Sequence, residues 1–171
     1  NHRHPLAQVL GDLPQTSTSR IELEPLTPDG VQKLASASGL DEGDLHDITS
    51  GNPFFVTELL AGASANHDRI PASVRDAVNS RLNRLPDEER HFLESISVIP
   101  GAITPDLIYL LFPDDGERLA RACAKRRLLT VNVLGAYRFR HELARLSTLE
   151  RVTAGNQQSL HAKILQGLSK E

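Results

Sequence analysis

Apolar positions in this chain recur mostly at helical spacing and alternate as a strand does in only two places. The cleanest stripe is Val74, Val78, Leu82 and Leu85, one face of one helix. Phe92, Leu93 and Ile96 repeat that spacing after Pro86-Asp87-Glu88-Glu89, whose acidic residues suit the positive end of a helix dipole. Thr27-Pro28 and Thr104-Pro105 each read as a threonine N-cap with proline at the first helical position, where its missing N–H costs nothing. The helix from Pro28 is expected to run to about Ser38 and stop at Gly39. Asp41 is expected to cap the next one, with Leu45 and Ile48 inward, and Ser50-Gly51 to end it. Asn52 then caps, and Pro53 opens, a third helix carrying Phe54, Phe55, Leu59 and Leu60. Further helices are expected at Pro5–Asp12, from an Asp115 cap to about Arg127, from about Glu142, and over Gln158–Leu168. The two alternating stretches are Ser19–Glu24, read as a half-buried strand, and Leu129–Val133 with Tyr137–Phe139, read as a β-hairpin around Leu134-Gly135-Ala136.

The order of these elements implies architecture. Three helices followed by a hairpin are the sequence of a winged helix. The small and polar stretch from Ala61 to Arg69 reads as a linker, which places a domain boundary before Ile70. The fold class expected is therefore mainly α: a helical segment, which the resemblance described below makes a helical lid, followed by a winged-helix domain with a small β-hairpin.

Composition narrows the chemistry. The chain has 171 residues, enough for one ordinary domain or two small ones. Its longest useful apolar run, Leu107–Phe112, is too short to span a bilayer, and no signal peptide is visible. A single cysteine, Cys123, forbids an internal disulfide and fits a cytoplasmic setting; it is expected in the core beside Leu119. Methionine is absent even at position 1, as expected of an internal piece of a longer protein. No phosphate loop, dinucleotide fingerprint, Cys-x-x-Cys pair or Gly-x-Ser-x-Gly elbow occurs. His141-Glu142-Leu143-Ala144-Arg145 approaches the zinc-protease pattern but carries arginine where a neutral imidazole is needed. By itself this chain is not expected to be an enzyme.

Net charge is −3, yet Gly116–Arg151 holds nine basic and three acidic residues. Within it, Arg118, Arg121, Lys125, Arg126 and Arg127 give the helix at 116–127 a basic face. Arg121, Lys125 and Arg126 are candidate DNA contacts, because the last helix of a DNA-binding winged helix enters the major groove. The same helix starts acidic, at Asp114, Asp115 and Glu117, where base contacts usually sit. A solvated face explains the spacing equally well. Arg138, Arg140 and Arg145 are read as surface or ion-pair residues, and Phe54 and Phe55 as lid core.

Ser50-Gly51-Asn52-Pro53-Phe54-Phe55-Val56-Thr57-Glu58-Leu59-Leu60 resembles the Gly-x-Pro motif of signal-transduction ATPases of the STAND class, and more narrowly that of the LuxR-type, MalT-like transcriptional regulators. Ile70–Val78 is similar to the start of that family's winged-helix region, and Tyr137–Arg145 to its closing strand-and-histidine motif. The resemblance spans roughly residues 5 to 150. It implies that residues 1–25 are the tail of a nucleotide-binding α/β core, 26–63 the lid, 70–151 the winged helix and 152–171 the start of a helical repeat region. It implies ATP or ADP as the cofactor, with magnesium in the parent chain, which would be a slow ATPase; none is expected to bind tightly to this chain alone. The nucleotide-binding residues would then be Gly51, Asn52, Pro53 and His141, with Pro53 packed on the adenine, Gly51 letting the backbone come close, and His141 reaching the β-phosphate of ADP. Implied partners are the upstream ATPase core, the downstream repeats, DNA through a separate C-terminal domain, an ATP-driven oligomer of the parent, and no membrane. The chain departs from the full pattern in lacking the phosphate loop, the acidic magnesium-binding segment and the effector domains. A stand-alone winged-helix DNA-binding module and an interaction scaffold without a nucleotide role are the competing readings.

Overall fold

Local sequence signals account for most helix boundaries in the computed structural model, which describes residues 23–36, 45–62 and 70–168. Thr27 Oγ1 accepts from the Gly30 N–H at 3.1 Å and so starts α1 (Pro28–Ser36). The short α2 (Leu45–Thr49) follows, with Leu45 and Thr49 buried. Asn52 Oδ1 accepts from the Phe54 N–H at 3.1 Å and opens α3 (Pro53–Gly62). The helix expected at Pro5–Asp12 and the Asp41 cap lie outside the described residues. So does most of the strand expected at Ser19–Glu24, of which Leu23 and Glu24 are in neither helix nor strand.

Beyond Ile70 come α4 (Ala72–Leu82), α5 (Asp87–Ile96), α6 (Pro105–Leu111) and α7 (Gly116–Lys125). The expected stripe holds, since Val74, Val78, Leu82 and Leu85 are all buried. Thr104 Oγ1 caps α6 as expected, accepting from the Leu107 N–H at 3.4 Å. Asp115 does not cap α7 with its side chain. Its carboxylate instead accepts from Arg118 Nε at 3.0 Å, a charge-assisted bond that outcompetes a neutral backbone N–H. Gly116 is buried where α7 meets α6, and a Cβ there would lie 2.5 Å from Ile108 Cγ2.

The period then changes to β1 (Leu129–Val131) and β2 (Tyr137–Phe139), antiparallel with Leu129 opposite Phe139 and Val131 opposite Tyr137. Asn132 organises the turn, its Oδ1 accepting from the N–H groups of Leu134 and Ala136, each at 2.9 Å. Ile103 forms an antiparallel bridge with Tyr137, through bonds of 2.6 and 2.9 Å, so the segment before α6 adds a third, minimal strand. The chain closes with α8 (Glu142–Leu149) and α9 (Ala154–Leu168). The architecture is mainly α with one small β-hairpin, in the helix, bridge, helix, helix, hairpin order of a winged helix.

Two apolar clusters hold it together. Phe92, Leu93, Ile96, Ile103, Ile108 and Cys123 lie at the centre of the larger, and Val31, Ala35, Leu45 and Val56 form the smaller. Cys123 is buried with Leu119, as expected. Helix α3 serves both clusters, because consecutive helical residues point about 100° apart: Phe55 enters the larger cluster and Val56 the smaller. The expectation that Phe54 and Phe55 share a lid core is corrected accordingly. Phe55 packs into the winged-helix core, while Phe54 is 41% exposed. Arg145 is buried with its charge answered: Nε and Nη2 reach Glu142 Oε1 at 2.8 and 2.6 Å, and Nη1 donates to the Ser97 carbonyl. Among the described residues no helix is long and apolar enough to cross a membrane.

Candidate functional site

The turn between α2 and α3 is unusually constrained. Ser50 and Gly51 both take positive φ, 50° and 68°. The Gly51 carbonyl accepts from the Leu26 N–H at 2.8 Å, and a Cβ on Gly51 would lie 2.1 Å from the Leu26 carbonyl oxygen. Glycine is therefore required twice, for its backbone angle and for the close approach of a second strand of backbone. Thr49 Oγ1 donates to the Leu45 carbonyl at 2.7 Å and accepts from the Gly51 N–H at 3.3 Å, which ties the helix end to the turn.

Two bonds fasten this turn to the segment between β2 and α8. Ser50 Oγ donates to the Arg140 carbonyl at 3.0 Å. His141 Nδ1 lies 3.0 Å from the Thr49 carbonyl, which also accepts from the Asn52 N–H at 3.1 Å. A carbonyl only accepts, so Nδ1 carries a hydrogen and Nε2 holds the lone pair in the neutral ring. The edge-on Phe55 ring, 5.1 Å away between centroids, fixes the imidazole plane. Burial, chiefly, holds the His141 pKa below its ordinary value; the bond to Thr49 opposes that, and Arg140 and Arg81 add to it.

Gly51, Asn52 and His141 are thus brought together. Asn52 and His141 share the wall of a cleft of about 220 Å³, whose floor includes Phe55, Leu93 and Phe139. Pro53 stands apart from them: it is exposed and does not line this cleft. Arg81, Arg127 and Arg140 also line the cleft, and among the described residues no carboxylate does. Arg140, read as a surface or ion-pair residue, is half-buried and lines this cleft. Arg127 was counted with the basic helix, but it lies beyond the end of α7 with φ 58°. Arg81 carries no local signal at all, since its partners in the cleft are 46 and 59 positions further along.

The three candidate DNA contacts lie on or just after α7. Arg121 Nε reaches Glu117 at 2.7 Å, and Arg126 Nε reaches the buried Glu89 at 2.7 Å. Their neighbour Arg118 is held between Glu88 and Asp115, at 2.9 and 3.0 Å. Lys125 is exposed. Among the described residues no group of His, Cys, Asp and Glu could hold a metal ion. No family model, curated protein or solved structure matches the chain.

Proposed function

We propose that this chain is the lid and winged-helix part of a STAND-type ATPase of the LuxR-type regulators, and that it clamps ADP to hold its parent closed. The observation that carries the reading is the bond between His141 and the Thr49 carbonyl. It ties Thr49, immediately before the first stretch that resembles the family's nucleotide motifs, to the second, 92 positions on, and the Ser50 bond to the Arg140 carbonyl joins the two stretches directly. A group that contacts a nucleotide through both would sense whether lid and winged helix are docked. Exchange of ADP for ATP would break the His141 contact, release the winged helix and permit assembly. Pro53 supports the same reading by its exposure, which leaves its ring available to an adenine held by an upstream core.

Direct DNA reading by α7 is the weaker alternative. A recognition helix needs guanidinium groups free to meet phosphates and base edges. Arg118, Arg121 and Arg126 are already engaged by carboxylates of this chain.

The test uses the chain extended upstream to include the ATPase core. Wild type, Pro53→Ala and His141→Ala are purified and denatured, and the released ADP is quantified per chain. Loss of ADP in both variants, with helical circular dichroism intact, is the expected result. Nucleotide retention indifferent to both residues would sink the proposal.

A further inference from the structure

The hairpin has an open edge. Tyr137 gives both its backbone groups to Ile103, accepting at 2.6 Å and donating at 2.9 Å. Val131 stands directly opposite Tyr137, so it occupies a non-hydrogen-bonded position of the antiparallel pair. Its N–H and C=O therefore point away from β2, on the side where the described residues place no further strand. Ile103 already covers the far side of β2. The small sheet is left with one free edge, and β1 is that edge.

The residues of this edge do little to protect it. Natural edge strands are commonly blunted by lysine, proline or an inward-pointing charge. The seven residues from Leu128 to Leu134 include no charge and no proline. Their apolar side chains stand in water: Val133 and Leu134 are 101% and 83% exposed, and Val131 55%. A groove between α6 and the hairpin joins Val131 to Tyr109, itself 70% exposed. On the rim of that groove Glu117 and Arg121 pair with each other, and Arg118 pairs with Asp115. Asp114 is the remaining charge on the rim, and an acid there disfavours nucleic acid.

Such a strand selects a partner by what it lacks. A charged peptide finds nothing on it to answer its charge. A second copy does fit. An antiparallel pair centred on Val131 sets Val131 on Val131, Thr130 on Asn132 and Leu129 on Val133. Apolar then meets apolar, polar meets polar, and no charge faces its own copy. The side chains of Tyr109, Val131, Val133 and Leu134 expose on the order of 500 Å². Doubled across a two-fold axis, that reaches about 1,000 Å², where specific interfaces begin. Strand β1 has only three residues, so few hydrogen bonds add to this and the association is weak.

We infer that β1 is a docking edge for β1 of a second copy of this chain, joining two hairpins into one continuous sheet as a weak two-fold dimer. Because each copy has a single free edge, assembly stops at two. The dimer does not depend on the clamp reading and needs no nucleotide.

The experiment is sedimentation equilibrium of the 171-residue chain from low micromolar to near-millimolar concentration. A monomer–dimer equilibrium is expected, unchanged by ADP. Val131→Lys sets a charge against its own copy and should weaken the dimer by more than about tenfold. Its circular dichroism should match wild type, since the side chain already lies in water. Lys125→Gln should dimerise as wild type does. In the wild type alone, the Val131 amide should exchange rapidly with deuterated solvent when dilute and slow down as the dimer fills, a readout that needs no variant. A chain that stays monomeric throughout overturns the inference. Rapid exchange at every concentration would then leave the edge to an unlike partner, and slow exchange at every concentration would mean that another part of the same chain covers it. Association indifferent to Val131→Lys, or growing beyond the dimer, would overturn it as well. Association that requires ADP would also overturn it and assign the contact to the clamp. The clamp fails separately, through ADP retention indifferent to Pro53 and His141, and that result leaves the dimer standing.

Discussion

The face of α7 and the cleft beside His141 are both rich in arginine, and what answers the charge differs between them. On α7 the partners are carboxylates: Glu88 and Asp115 for Arg118, Glu117 for Arg121, and the buried Glu89 for Arg126. Helix α5 supplies two of these acids, so the pairs also hold α5 against α7. In the cleft, among the described residues, Arg81 donates to a backbone carbonyl, Arg140 shares the lining, and the floor includes Phe55, Leu93 and Phe139. A count of basic residues along the sequence ranks α7 first. Availability ranks the cleft first, because a guanidinium already paired with a carboxylate must break that pair before it binds anything else.

The strongest way to break this comparison is to dissolve the cleft. Gly51→Ala puts a Cβ against the Leu26 carbonyl oxygen in a left-handed backbone. It should cost about 3 kcal/mol of stability, read by equilibrium denaturation. A smaller effect is expected on the other side. Glu89→Gln removes a buried carboxylate from Arg126, whose side chain is half exposed. The loss should be about 1–2 kcal/mol, reduced by that exposure, read by equilibrium denaturation.

The pH dependence sharpens the contrast further. The folded-state pKa of His141 is depressed, mainly by burial. In the window between that depressed value and the ordinary one near 6.5, the unfolded chain binds more protons than the folded one. Stability from this group is therefore present above the ordinary value and is lost as pH falls through the folded value. Denaturation midpoints taken at about pH 7.5 and about pH 5.5 should show that slope in wild type and a shallower one in His141→Asn. The smallest effect belongs to the exposed α7 pair: Arg121→Gln should leave the denaturation midpoint indistinguishable from wild type.

Much of the fold was legible because its signals are local. The Thr27 and Thr104 caps, the proline starts at Pro28, Pro53 and Pro105, the buried stripe from Val74 to Leu85 and the hairpin all involve residues within one or two turns of each other, where spacing alone dictates which backbone groups and faces meet. The sequence also singled out Gly51, Asn52 and His141, through a motif resemblance, and the elements that carry them do converge. Other features were decided by tertiary structure, because they depend on partners far away in the chain. Asp115 forgoes its cap for a guanidinium, Phe55 and Val56 part company because α3 lies between two cores, and Thr49 lends its carbonyl to a histidine 92 positions on. The arginines show the division most plainly. Sequence determines how many there are and on which helices. Only the packing of α5 on α7 and of α4 beside α8 decides which meet a carboxylate and which meet one another, since the energy of a charge is set by what surrounds it in space.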